Sequence, residues 1–590
     1  MPPLFRSRLS LGACIVLAAI VCYLPAMRAG FVWDDDLLVT ENPLVQNTDS
    51  LPTVWTKAAS ADYTPLTTTA FWLQWRLWED DAAGYHLVNI LLFALSALLL
   101  WRVLERLAIP GAWLGALLFA VHPVNAASVA WIAELKNALS LPFYLAAAIC
   151  FLRFLENRKA ADYCLMLLAA ACAMLSKGSA VILPLALILC AWWRRRPLRD
   201  YALLLPVAAL SLLAALATIF FQARVIDAHA AAAPLAARIA RAGEAIWFYL
   251  GKDLWPASLC AIYPKWQIGG CLPLLLAVAL LAALWGARGR IGRGPFFAWA
   301  YFLAALLPVL GILNMSFLDQ AYVADWWQQL ALPGVTALAG AGIAVLWKRS
   351  PLPVSALAAG VAVTLAFLTF NEAAGYQSME KFCRRTLAQN PGAWTAHNNL
   401  GNTLNTQGRL DEAAAEYRIA LGLKPTDAGT HSNLGIVYAR LHRLDDAIAE
   451  YRSALALVPD NPKYWFNLGN ALRAGRHDDD ALDAFSHAID LNARWTTPRY
   501  ELGGILLEKG RAREAGQQAE VIVHVDPSSV SGHYLMARAA AAIGRFDVAV
   551  TEAQAALNIA KQAGDDKAIH QMQDTLDACK AGRIPPAPQP

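Results

Sequence analysis

For its first 370 residues the chain alternates long apolar blocks with short polar gaps. A helix that crosses a bilayer needs roughly 17–25 apolar residues. Blocks near that length fall at 9–27, 86–101, 111–123, 138–152, 162–176, 179–193, 201–222, 271–287, 296–313, 329–347 and 352–370. The pattern predicts about eleven spans, with 111–123 the shortest. Arg6 and Arg8 before the first block, with Ala26 and Ala29 after it, also fit a signal peptide. The block is long for that role, and an uncleaved first helix is the reading carried forward.

Beyond residue 370 the blocks give way to amphipathic helical patterning, and from residue 393 the sequence repeats every 34 positions. Leu400-Gly401, Leu434-Gly435, Leu468-Gly469 and Leu502-Gly503 keep that step, as do Tyr417 and Tyr451, and Pro391, Pro425, Pro459 and Pro527. A 34-residue period is that of the tetratricopeptide helix–turn–helix unit, whose small residues let paired helices approach closely. Residues 376–390 read as the second helix of an incomplete leading unit, and 558–582 as a cap. The predicted organisation is all-α: a polytopic membrane domain at 1–370, a tetratricopeptide solenoid at 371–582 and a disordered Pro-rich tail at 583–590.

Composition agrees with this division. Of 590 residues 57% are apolar and 16% charged, against roughly 25% charged in a soluble protein. Residues 1–370 carry 26 Lys+Arg and 19 Asp+Glu, while residues 371–590 carry 23 and 26. Neither part has the basic excess of a nucleic-acid binder. The cysteines show no metal-ligand spacing, so no metal site is expected from them, although Cys260 and Cys271 are close enough in sequence for a disulfide.

Basic residues also set the expected orientation. With the N-terminus in the cytoplasm, 16 of the 26 basic residues of the membrane part fall in the inner segments, around Arg8, Arg102/Arg106, Arg153/Arg158/Lys159, Arg194–Arg199, Arg288–Arg293 and Lys348/Arg349. An odd number of spans then places the repeats outside, in a bacterial periplasm or its eukaryotic equivalent, and the reading taken is a multi-pass protein of the bacterial inner membrane. The loops 28–85 and 223–270 face the same side.

Candidate chemistry lies on that side. Asp34-Asp35-Asp36 directly follow the first span, flanked by Phe31 and Trp33. Adjacent carboxylates repel, so at least one titrates high or meets a cation. They suit a catalytic base or a divalent cation, or simply a solvated loop. His86 and Asn89 share a helical face, and His122, Glu134, Lys136, Lys177 and Asp325 sit at span boundaries, where ionisable groups are functional candidates. Arg224, Arg238 and Arg241 fall in an Ala-rich stretch, and Arg238, Arg241 and Lys252 project from an expected interfacial amphipathic helix, where Arg suits a lipid phosphate or an ordinary headgroup. In the repeats, Asn398, Asn399, Asn433 and Asn467 recur on first helices, as ligand contacts or as packing.

The stretches FVWDDD (31–36), YTPLT (63–67), GYHLVN (84–89), HPVNAASVAWIAELKNALS (122–140), LSKGSAVILPL (175–185), YLGKDLWP (249–256) and YVADWWQQLALPG (322–334), followed by the repeats, resemble the transmembrane and tetratricopeptide repeat-containing O-mannosyltransferases. That resemblance implies a GT-C fold and inverting sugar transfer from a polyprenyl-phosphate-linked donor to a protein hydroxyl. It places the family's acidic pair on Asp34 and Asp35. Lys136, Lys177, Arg238 and Arg241 then neutralise the leaving phosphate, with His86, His122, Glu134 and Asp325 in support. It requires no cofactor beyond a possible divalent cation, and the repeats recruit the protein acceptor. Ala127 and Asn137 stand where relatives carry acids. The alternative is a membrane-anchored scaffold in which only the repeats act.

Overall fold

The computed structural model describes residues 7–57, 63–223, 233–313 and 315–586; Arg6, Arg224 and the last four residues of the tail lie outside the described residues. Every described element is helical, and no strand occurs among the described residues. By contact the chain divides into Met1–Asn399 and Leu400–Pro590.

In the first unit every one of the eleven apolar blocks forms a helix over most of its length. Five helices, Arg8–Arg28, Ala82–Arg106, Ile132–Asn157, Leu205–Gln222 and Pro351–Tyr376, are long and apolar enough to cross a membrane. Five more apolar helices are shorter, from Ala160–Ser176 to Leu332–Trp347. The block at 111–123 is half of a pair, Ala112–Ala120 and Pro123–Ala130, bent by 50°. The bend falls where Pro123 has no N–H for a continuous helix and where His122 turns its ring to the Val124 N–H and the Asp253 carbonyl.

The ends of these helices sort by charge. At one end Arg106 and Arg194 meet Glu156, Arg158 and Arg196 meet Asp200, and Arg153 meets Asp162. At the other end the described segments 28–57, 63–85, 122–137, 177–182, 235–270, 310–313 and 315–331 gather into one polar layer. Thr67 of that layer donates to the Ser176 carbonyl (2.8 Å), and Gly30 donates to Gln377 (3.4 Å).

The first unit runs past residue 370. Helix Met379–Gln389, expected as part of the solenoid, lies on the polar layer instead. Its buried Phe382, Cys383 and Thr386 face inward. Gln389 and Asn390 donate to the carbonyls of Leu259 and Ile262 (2.8 and 3.0 Å), and Arg385 pairs with Glu372. Cys260 is buried with its thiol on the Ile262 carbonyl, Cys271 is exposed, and both are free thiols.

The second unit is a solenoid of paired helices from Leu410–Leu423 to Asp566–Lys580. Its 34-residue period has a steric origin. A Cβ at Gly401, Gly435 or Gly469 would lie 2.6–2.7 Å from the ring of Tyr417, Tyr451 or Phe485. Where the step reaches Ala519 there is no ring, and Leu535 of the next unit fills the space over Gly503. A second periodic device escaped the sequence reading. His397, His431, Trp465, Arg499 and His533 each reach the carbonyl six residues back, on Pro391, Pro425, Pro459, Ala493 and Pro527. The tail is ordered where it starts: Pro585 is buried and Tyr534 donates to the Pro586 carbonyl (2.9 Å). Gly435→Ala is expected to destabilise the repeats by about 1–3 kcal/mol through overpacking. Gly422→Ala, with nothing within 4 Å, stabilises slightly; thermal unfolding of the purified protein distinguishes the two.

Candidate active site

The polar layer brings together residues from three distant stretches. Glu134 is buried at the turn into the helix Leu135–Asn157, and its carboxylate pairs with Lys136 (3.1 Å) and accepts from Asn137 Nδ2. Asn137 Oδ1 accepts from Lys177, which ends the helix Ala160–Ser176. Asn137 Nδ2 also lies 3.2 Å from the Trp326 carbonyl. Asp34 borders this chain of contacts. Burial raises its pKa, the Lys136 ammonium opposes that rise, and the Glu134 carboxylate adds to it.

The acidic triplet therefore divides by role. Asp35 is fully buried, with Oδ2 accepting from the Val32 N–H (2.7 Å) and Oδ1 from the Ala133 N–H (2.6 Å). Burial drives its pKa well up against those two bonds. Both oxygens are thus engaged in holding the first loop against the segment before Glu134. Asp36 is exposed and accepts from Thr40 (2.9 Å). Asp34 is half-buried, with the Lys136 ammonium the charge that opposes its raised pKa.

His86 is fully buried against the backbone of Ala29 and Gly30, and Asn89 donates to the Trp131 carbonyl (3.2 Å). Asn89 thus ties this helix to the segment before Glu134. His122 holds the 50° bend to Asp253 (3.0 Å). Arg238 and Arg241 lie on the amphipathic helix Leu235–Leu254, as expected. Their guanidinium groups turn to the carbonyls of Ile312 (3.0 Å) and Gly311 (2.5 Å). Gly311 has φ +70°, and a Cβ there would lie 3.0 Å from Arg241. These arginines brace a loop in this structure; no contact joins them to Asp34.

Asp325 heads a second polar group. Tyr263 donates to its Oδ1 (2.8 Å), and burial lifts its pKa to about 7, with Tyr263 and Lys252 opposing and Glu372 adding. It lines a cavity of about 20 Å³ with Ala127, Glu372, Phe382 and Arg385, room for about one water molecule. Ala127, where the resemblance would have an acid, thus lines this cavity beside the carboxylates of Asp325 and Glu372. Tyr263 and Glu372 were not singled out from sequence; Asn137 was noted only as standing where the resemblance would have an acid, though its i,i+3 spacing from Glu134 could have marked it as that carboxylate's partner.

No group of three or more His, Cys, Asp or Glu side chains among the described residues is arranged to hold a metal ion. Of the repeat asparagines, Asn433 donates to Asn402 (3.0 Å), Asn467 lies 3.5 Å from Ser432, and Asn398 donates to Asn399 (3.3 Å). In the second unit they form rungs between successive first helices.

Comparison with known proteins adds an independent view. Residues 62–221 match the family described as dolichyl-phosphate-mannose-protein mannosyltransferase, and residues 401–442 and 432–494 match tetratricopeptide repeat families. A protein O-mannosyl-transferase of Caenorhabditis elegans is 32% identical over 150 residues, covering 23% of this chain and 22% of that protein. The Drosophila melanogaster protein O-mannosyl-transferase Tmtc1 is 25% identical over 537 residues, covering 71% and 62%. Human protein O-mannosyl-transferase TMTC3 is 29% identical over 150 residues, covering 24% and 16%. The chain thus spans less than two thirds of the length of these relatives. Apolar helices, a segment within them that matches a mannosyltransferase family and C-terminal tetratricopeptide repeats together make this a multi-pass membrane protein similar, over part of its length, to the TMTC O-mannosyl-transferases.

Proposed function

We propose that this protein transfers a mannosyl group from a polyprenyl-phosphate-linked donor to a serine or threonine hydroxyl of a protein, on the periplasmic side of a bacterial inner membrane. The observation that carries the reading is the convergence of Asp34, Glu134, Lys136, Asn137 and Lys177 from three stretches of chain. The match of residues 62–221 to a mannosyltransferase family supports it.

In this mechanism Asp34 accepts the proton of the acceptor hydroxyl as its oxygen attacks C1 of the sugar. The bond from C1 to the lipid phosphate oxygen breaks on the opposite face, and the configuration inverts. The phosphate leaves as an anion, and Lys136 and Lys177 stabilise its charge. Glu134 and Asn137 hold those two ammonium groups in place. Asp35 fixes the loop that carries Asp34. The repeats bind the acceptor protein, as solenoids of this kind present extended surfaces to peptides.

The test is transfer of radiolabelled mannose from dolichyl-phosphate mannose to membrane and periplasmic proteins by vesicles containing the full-length chain. Label appears in protein with the parent, and Lys177→Met raises the donor KM about tenfold or more, by loss of a charge-assisted contact. Label that reaches protein equally without this chain contradicts the reading. Because the base must be ionised, the rate falls as pH drops through the raised pKa of Asp34. The acid limb of the pH profile is therefore expected above the ordinary Asp range near about 4.

A further inference from the structure

We propose that Trp33 is a positioning residue for Asp34, locked in a left-handed backbone conformation by a stack of rings that includes Phe382 from the helix beyond the last apolar block. The inference rests on the functional reading above, in which Asp34 activates the acceptor.

Trp33 has φ +50°, a conformation that a bulky side chain rarely adopts. Most other non-glycine residues with positive φ have an ordinary reason for it. Glu79, Ala108, Arg158, Arg195, His442 and Arg476 each follow the last turn of a helix. Trp33 closes no helix: the preceding one ends at Arg28 and the next begins at Asp36. It sits inside a tight turn in which Asp35 N–H donates to the Val32 carbonyl (3.1 Å). Such strain persists only where the surroundings over-determine it, and it concentrates at functional sites.

The surroundings do over-determine it. The indole of Trp33 stacks on Trp131, with centroids 5.6 Å apart and planes at 30°, and meets the ring of Phe382 edge-on at 5.5 Å. Trp131 is itself fixed, donating through Nε1 to the Val32 carbonyl (3.1 Å) and meeting Trp326 edge-on at 5.2 Å. The Asp35 carboxylate ties the same turn to Ala133. Rings and carboxylate thus clamp the turn from both sides, and the residue between them is Asp34. The charged groups acting on Asp34 are Lys136 and Glu134 from the turn into the next helix, while Asp34 and Asp36 both act on Asp35 beside it. Phe382 brings a contribution from outside the stretch that matches the mannosyltransferase family.

The experiment uses the full-length protein and two readouts. One is the transfer assay across pH; the other is carbodiimide coupling of glycine ethyl ester to Asp34, read by mass spectrometry across pH. Carbodiimide activates the protonated carboxyl, so the second readout follows Asp34 without any acceptor. Trp33→Ala and Phe382→Ala remove ring cover and loosen the turn. Both are expected to move the labelling midpoint of Asp34 and the acid limb of transfer to lower pH by about one unit. They also lower kcat about tenfold or more, with donor KM within about twofold. Trp33→Phe and Phe382→Tyr retain the parent values. Trp33→Gly, which permits the backbone conformation without the ring, behaves as Trp33→Ala does. An unchanged Asp34 midpoint in Phe382→Ala and Trp33→Ala overturns the inference, whether or not transfer is detected. Full transfer by Asp34→Asn instead overturns the functional reading, and the labelling still decides the positioning claim.

Discussion

Asp34→Asn is expected to lower sugar transfer by a factor on the order of 10²–10⁴, the contribution of a positioned general base, without loss of folding or donor binding. The amide is nearly isosteric with the carboxylate but cannot accept the hydroxyl proton. Asp34 is half-buried, and the charged groups acting on it are Lys136 and Glu134. Asp36→Asn, at an exposed position whose carboxylate accepts from Thr40, is expected to stay within about twofold of the parent. Initial rates at matched protein levels, with thermal unfolding of each variant in detergent, check both statements.

Asp35→Ala acts differently and is expected to show the larger loss of stability. Its two carboxylate oxygens receive the backbone N–H groups of Val32 and Ala133 in a fully buried site. Deleting them leaves two donors unsatisfied, at a cost of about 1–3 kcal/mol each. Asp35→Asn keeps one acceptor and turns an NH₂ towards the other N–H, so it is expected to fall between Ala and the parent. The diagnostic is a fall in unfolding temperature that precedes any kinetic effect. Loss of transfer in Asp35→Asn with unchanged unfolding would assign Asp35 a chemical part instead.

Much of the architecture was legible because it rests on patterns that sequence displays directly. Each apolar block became a helix, since blocks of this length bury their backbone hydrogen bonds only as helices. The 34-residue step survived because Gly401, Gly435 and Gly469 each make room for a ring on the next helix. The bend at His122-Pro123 was masked by its apolar surroundings, which continue through Ala130. The role of Met379–Gln389 was hidden for a related reason: an amphipathic helix does not declare what covers its apolar face. Within the site, the residue types were readable but not their division of labour. Asp34 and Asp35 are adjacent and identical in type, and only the N–H groups of Val32 and Ala133 separate a structural carboxylate from an available one. The partnership of Lys177 with Asn137, 40 residues apart, leaves no mark in spacing. Arg238 and Arg241 lie on the helix expected for them, but their partners are carbonyls of Gly311 and Ile312, which any residue type supplies.

The central claim is that a lipid phosphate and its sugar meet this polar layer at Asp34. The most direct measurement is a density map of the full-length protein in lipid nanodiscs with a non-hydrolysable polyprenyl-phosphate mannose analogue. The account predicts phosphate density in contact with the ammonium groups of Lys136 and Lys177, and the sugar C1 within reach of an acceptor oxygen held by Asp34. Analogue density seated elsewhere, with Asp34, Lys136 and Lys177 left untouched, would contradict it.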